Sequence, residues 1–467
     1  MGLIRTGAAK WIILLVENKS REFDSKIFLA CLAAERGYTV LLCHYGAFRK
    51  WIRCLPRGMI LEKSISTGKE KLLKRYRDAG YRISSIDEES FSIFVDSEKW
   101  LRTRVCGTTL DIVDYMFTWS ERQAEMVRGK YPLQANKVLA TGTQRADLWR
   151  KEMRALYDAD VADIRKRYGR FILMPSNFTA AINVKGDDFT IIQAQKYGHI
   201  RHRADEQVLV DRIKHLKNNL EEYAIAFRKI RSKFPGHTLV IRPHPTDNHE
   251  YWEKVIASID NVVVIHEGSP TPWLLAADAI FHHGCSTGLE ARVLGRCSIA
   301  YHPCWDGRFN KHPSTMVGPV ARDLAELITF LDRSIRNPDG CALKTGEVED
   351  YISIEGDFAC EKMLNALDKC AWAGNSLNLT LSNPNVVMVR IKEAWGKVRN
   401  NIRRLIGWKS HEYSSRQNRS RQKWPGASVD EVQSLILKYG NMLGRFRDVN
   451  SEELVENIFC ISLSKGE

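Results

Sequence analysis

The 467-residue sequence predicts an α/β protein in which two parallel-sheet lobes face a cleft and a helical, basic C-terminal tail follows. Three observations lead there. Short apolar runs alternate with helical patterns, the alternation restarts after a charged helical stretch at Asp158–Tyr168, and it stops beyond Gly340. The natural division is 1–155, 156–340 and 341–467. A chain about three times the ~150 residues of an average domain has room for it.

In the first lobe, Trp11–Val16 is a buried-strand run, and Asp24–Arg36 places Ile27, Leu29, Ala30, Leu32 and Ala33 at helical spacing. Gly37 ends that helix and Tyr38–Cys43 is the next strand. Tyr81–Ile86, Asp111–Trp119 and Lys137–Thr141 read as further strands, with Glu121–Lys130 helical. In the second lobe Arg170–Met174, Thr238–Arg242, Val262–His266, Ala279–His283 and Ser298–His302 are strands, and Glu206–Phe234 is a long helix. This βαβ rhythm makes both lobes Rossmann-like.

The composition, 44% hydrophobic and 27% charged, is that of a globular protein. Eleven cysteines are scattered without CxxC pairs, the pattern of reduced cytoplasmic thiols, and no spacing suggests a metal site. The apolar run at Trp11–Val16 is too short for a signal sequence or a span, and no later run reaches the ~18 residues a membrane helix needs. The net charge of +14 is concentrated: Asn375–Lys423 holds eleven Lys/Arg against Glu393 and Glu412, a surplus of nine.

Two strand exits in the second lobe suit a phosphate-bearing ligand. Leu239–Asp247 (LVIRPHPTD) delivers Arg242 and His244 at a strand's carboxyl end, where ligands bind in open α/β sheets. A salt-bridged arginine at a surface turn reads equally well. Ala279–Leu294 runs from strand through Gly284 into a helix opened by Ser286 and Thr287, a natural anion cradle, with Glu290 one turn in and placed for ribose hydroxyls. Simple helix capping is the alternative. Of His282 and His283, at least one is a packed wall group; Asn177 opens another strand exit. The first lobe offers acids: Glu88 and Glu89 in IDEES, with Glu22 and Asp24 in reserve, as a catalytic base or nucleophile. A solvated acidic turn is the competing reading.

In the tail, Ile391, Trp395, Val398, Ile402 and Leu405 form an apolar helical stripe amid Arg390, Lys397, Arg399, Arg403 and Arg404, closed by Trp408. Such a segment, 385–423, fits an anionic membrane surface, or else packs on the protein body. No RNA-type aromatic motif or helix-turn-helix accompanies the charge, so no nucleic acid partner is expected.

The segments ILLVENKSREFDSKIFLACLAAERGY, IDEES, TGTQRADLWR, IRPHP, GCSTGLEARVLG and QKWPGASVDEV, in this order, resemble bacterial surface-carbohydrate biosynthesis proteins. These are similar to capsule and lipopolysaccharide glycosyltransferases of the GT-B type that use CMP-activated acidic sugars such as Kdo. The resemblance implies a GT-B-like fold and a cofactor-free, metal-independent transferase. It implies a CMP-sugar donor, a polysaccharide or lipid-linked acceptor, and a place at the inner face of the cytoplasmic membrane. It puts His244, Ser286 and Thr287 on the nucleotide, Glu290 near its ribose, and Glu88/Glu89 in an acidic pair. Ser90 stands where glycine is usual, and Thr143 and Gln144 depart from a Gly-Asn-Pro-Arg pattern. The RPHP element is shared with CDP-glycerol glycerophosphotransferases, which leaves that activity, a sugar-nucleotide epimerase or a degenerate scaffold as alternatives.

Overall fold

Trp11–Val16 (β1) is buried at all six positions, so it needs cover on both faces. Lys19–Glu35 (α1) covers one face, and Gly37, at φ +80°, turns the chain out of it. Thr39–His44 (β2), Met59–Glu62 (β3), Arg82–Ile86 (β4), Tyr115–Thr118 (β5) and Val138–Ala140 (β6) complete a parallel sheet in the order β2-β1-β3-β4-β5-β6. Gln144–Asp147 (α2) follows β6. The computed structural model describes residues 4–5, 9–183, 185–196, 198, 200–244, 246–338, 348–370, 374–405 and 423–464.

The second lobe is a six-stranded parallel sheet. It is built from Phe171–Pro175 (β7), the 31-residue helix Arg203–Lys233 (α3), Thr238–Arg242 (β8), Val262–Val264 (β9), Ala279–His282 (β10), Ser286–Val293 (α4), Ser298–Tyr301 (β11) and Val320–Ala321 (β12). Its order is β9-β8-β7-β10-β11-β12. The chain winds one way from β7 and the other from β10, so the crevice between these two strands' carboxyl ends is the switch point. The two Rossmann-like lobes face one another across a cleft, as the sequence predicts.

The tail departs from expectation. It is helical over Ala359–Leu367 (α5), Pro384–Leu405 (α6) and Val429–Leu443 (α7), but it ends in a hairpin, Val449–Val455 (β13) and Ile458–Leu463 (β14). β14 pairs antiparallel with β2, extending the first sheet to eight strands. The region 341–467 is thus not a separate helical unit: α5 and α7 pack on α1, and Met363, Ile436 and Phe459 belong to the core around β1. Asp147 fixes the return, accepting from the backbone N–H of Ala359 (2.8 Å) and Cys360 (2.9 Å) at the start of α5.

Three smaller corrections follow from the coordinates. The run expected as one strand at Asp111–Trp119 divides into the helix Gly107–Ile112 and β5; β3 was not foreseen. Nine described cysteines are free, but Cys297 is disulfide-bonded, against the expectation of reduced thiols throughout.

Phe459, on the hairpin strand β14, is fully buried in the core around β1. Phe459→Ala should lower unfolding free energy by about 3–5 kcal/mol in urea denaturation followed by tryptophan fluorescence. A loss under ~1 kcal/mol would mean that the hairpin adds nothing to the core.

Candidate active site

At the switch point, β10 delivers His282 and His283, and Gly284 turns the chain at φ +59° into α4. Asn177, at the exit of β7, donates from Nδ2 to the Gly284 carbonyl (2.8 Å), tying the two strand ends together. His282 is the wall histidine: its Nδ1 accepts from the Cys285 N–H (3.3 Å), and its ring lies against Gly288. The residue before α4 is Cys285, and Ser286, the first residue of the helix, lines the cleft. His283 is buried beside them, its Nε2 unpartnered among the described residues. Burial, helped by neighbouring His302, His215, His282 and Arg212, keeps the His283 ring neutral at ordinary pH. His302, pushed down to about 3 chiefly by burial, is held between Asn310 (2.9 Å) and Thr315 (3.0 Å).

The RPHPTD exit is organised differently from the expectation. Arg242 donates to the carbonyls of Glu267 (2.7 Å) and Gly268 (2.6 Å) and lies over the Trp273 ring, so its fork clamps the loop after β9 and does not line the cleft. Burial pulls it down to about 10, with Glu290 and Glu267 opposing. His244 is likewise outside the cleft lining; its Nδ1 meets the Thr246 hydroxyl at 2.7 Å. The residue that organises this loop is Asp247, which the sequence reading passed over. Its carboxylate accepts from Ser176 (2.5 Å), Thr179 (2.7 Å), the His244 N–H (3.2 Å) and Trp252 Nε1 (3.3 Å). Glu290 also faces away from the cleft: it accepts from Thr271 (2.8 Å) and lies 3.7 Å from Arg145 of the first lobe. Thr287 is buried in the first turn of α4.

Across the cleft, Glu88 follows β4. Its Oε1 accepts from Gln144 Nε2 (2.9 Å) and lies 3.3 Å from Lys26 Nζ, while Oε2 is buried and unpartnered among the described residues. Glu89 also lines the cleft, 70% exposed and 3.2 Å from Arg104. Glu22 is committed elsewhere: it accepts from the N–H groups of Glu17 (3.1 Å) and Asn18 (3.0 Å) and from Lys26 (2.7 Å). Asp24, raised to about 6 mainly by burial, sits in a small separate pocket with Tyr157 and Thr271. Of the four acids named from sequence, two therefore reach the cleft.

The cleft encloses about 860 Å³ between the lobes, with Glu88 and Arg145 on one side and Asn177, His283 and Ser286 on the other. Arg21 sits where the sequence puts it, at the strand-to-helix lip of the cleft, whereas sequence reasoning missed Arg145 as a site residue. Both line the cleft, and Arg145 lies over the rings of Trp119 and Trp149. The signal was present in TGTQRAD, a strand-to-helix junction on the seam. Among the described residues, no group of three or more His, Cys, Asp or Glu side chains is arranged to hold a metal ion. A helix N-terminus across a cleft from a carboxylate with one unpartnered oxygen can hold an anion and accept a proton, or attack a centre bonded to that anion.

Fold and cleft thus define a two-lobed α/β protein of GT-B-like architecture with its polar groups gathered at the strand exits. No family model matches the chain, and no curated relative does. Solved structures are similar at low level. One is the UDP-GlcNAc 2-epimerase of Neisseria meningitidis bound to UDP-GlcNAc, at TM-score 0.47 and 12% identity, over 77% of this chain and 100% of that one. Another is the wall teichoic acid polymerase TagF, at 0.41 and 10%, over 78% and 89%. A third is Anabaena Alr3699/HepE with UDP and glucose, at 0.39 and 11%, over 77% and 99%. At these values none of them assigns a role to a residue of this chain.

A Cβ at position 288 would lie 2.2 Å from His282 Nε2, whereas one at position 236 would meet nothing within 4 Å. Gly288→Ala should cost about 1–3 kcal/mol in thermal or chemical unfolding, with Gly236→Ala near neutral. Equal effects would show that α4 is not seated on His282.

Proposed function

We propose that the protein is a glycosyltransferase moving an acidic sugar, Kdo or a close relative, from a CMP-activated donor to a surface polysaccharide or lipid-linked glycan. The observation that carries the reading is the opposition across one cleft of Ser286, at the α4 N-terminus beside His283, and Glu88, whose Oε2 has no partner among the described residues. Departure of cytidine monophosphate develops charge on a phosphate, which the positive end of α4, Ser286, His283 and the facing Arg21 and Arg145 stabilise. Glu88 either takes the acceptor hydroxyl proton or attacks the anomeric carbon, and Glu89 lies beside it. The identity of the base, cytosine, comes from the family resemblance, as does the acidic sugar. A CDP-glycerol transferase or a sugar-nucleotide epimerase would use the same cleft with a diphosphate.

Calorimetric titration with CMP, CDP and UDP tests this. CMP should bind, and His283→Ala should weaken it about 10–100-fold through loss of a donor to a charged group. Exclusive binding of UDP, or no nucleotide binding by folded protein, would sink the proposal. Mass spectrometry of the product formed from CMP-Kdo identifies the transfer.

We propose further that α6 rests on an anionic membrane surface. Met388, Ile391, Trp395 and Val398 recur at three- and four-residue spacing, and all are exposed, Trp395 at 70%. The helix is seated on the body by its other side: Val386 is buried, Arg390 lies over Trp51, and Glu393 pairs with Lys50. Arg390 is thereby partly committed, while Lys392 and Arg399 flank the open stripe. Trp408 and the side chains of Arg403 and Arg404 lie outside the described residues. No described helix is long and apolar enough to cross a membrane. Trp395→Glu should reduce co-sedimentation with phosphatidylglycerol vesicles at least several-fold and leave CMP affinity unchanged. Unaltered sedimentation would refute the membrane contact.

A further inference from the structure

Lys26 is the least expected charge in the molecule. It lies in the second turn of α1 with its side chain 1% exposed, and its ammonium contacts three acceptors: the Leu15 carbonyl (2.6 Å), Glu22 (2.7 Å) and Glu88 (3.3 Å). An isolated buried ammonium is costly, and three acceptors around three N–H bonds offset that cost. The unusual part is on the other side of the contact. One oxygen of Glu88 is held by Lys26 and Gln144, and the other, equally buried, has no partner among the described residues. An ion pair serving stability alone gains by satisfying both oxygens, because an unmet buried acceptor forfeits its hydration. Here one is kept without a partner, on a residue that lines the cleft.

We propose that Lys26 is a positioning residue for the reaction: it holds Glu88 as a carboxylate and pins one oxygen so that the other faces the acceptor. This rests on the reading of Glu88 as the base of the transfer. In that step the acceptor hydroxyl proton passes to Glu88 Oε2, the acceptor oxygen bonds to the anomeric carbon, and cytidine monophosphate leaves with the electrons of the broken bond. Lys26 keeps its protons throughout.

The electrostatics agree with the geometry. Burial raises Glu88 above the usual carboxylate range, Lys26 is the strongest opposing influence, Glu22 adds to the rise and Arg145 lowers it. The charged groups facing Glu88 are Lys26 and Glu22 from α1, Arg145 from α2 and Lys63 beyond β3. Removing the ammonium leaves two carboxylates facing each other with less compensation, so Glu88 should bind its proton more tightly. Removing Glu22 should act in the opposite sense.

The test is an infrared titration of the Glu88 carboxyl in the full chain, its band assigned by loss in Glu88→Gln. Lys26→Met should raise the midpoint by about one pH unit or more. Lys26→Arg, which retains the charge, should return it most of the way, and Glu22→Gln should lower it. With CMP-Kdo as donor, the acid limb of the turnover profile should move with the Lys26→Met midpoint while KM for the donor holds. If Lys26→Met does not fold, the Glu22→Gln shift decides. Midpoints that stay put in every folded variant overturn the proposal. Midpoints that move as stated without turnover of CMP-Kdo uphold the role of Lys26 and overturn the donor assignment instead.

Discussion

A parallel strand buried on both faces has no side to offer water, and β1 imposes this condition on the whole first lobe. Its six apolar residues need cover from above and below, and its neighbour β2 needs a partner at the sheet edge. The chain meets both needs with its own C-terminus: α5 and α7 pack on α1, and β14 pairs with β2. Polar groups are thereby driven out of the sheet interior to the strand ends, where backbone N–H groups and side chains lack ladder partners. At such strand ends the cleft collects Glu88, Arg145, His283 and the start of α4. The site is a by-product of the burial rule.

Much of the fold was legible because its signals are local. Trp11–Val16, Phe171–Pro175 and Thr238–Arg242 are short apolar runs whose lengths and flanking residues mark them as strands, and the coordinates agree within a residue. The closing hairpin was not legible. Val449–Val455 reads VNSEELV, mostly polar, because it is an edge strand with one side open, and its apolar partner Ile458–Leu463 is six residues at the end of a charged tail. Only the vacant edge of β2, some 400 residues earlier, gives these strands their meaning.

The candidate site divides along the same line. Gly284, Ser286, Asn177 and Glu88 were found because a strand exit is a local pattern with a known chemical consequence. Arg242 was read as a ligand group for the same reason, yet its guanidinium is satisfied by two carbonyls some 25 residues onward, partners no spacing rule reveals. Glu290 is turned to the seam because Thr271 and Arg145 reach it there. His283 was left undecided between wall and ligand. Its separation from His282 depends on which of two adjacent rings packs against Gly288, a matter of strand register.

Charge completes the picture at two scales. In the tail, six of the eleven cations of the basic segment fall on α6, whose Met388, Ile391, Trp395 and Val398 are exposed, and the membrane proposal rests on that combination. In the cleft, single groups matter more than sums. Arg145 lies over two tryptophan rings and between Glu88 on its own lobe and Glu290 on the other, so its charge is shared across the seam. Burial disfavours this cation; Glu290 across the seam is the strongest opposing influence, and Glu88 and Glu22 of its own lobe add to it. The Arg145–Glu290 pair thus joins the two lobes beside the cleft that Glu88 and Ser286 line, so the charge that links the lobes is also a charge of the cleft.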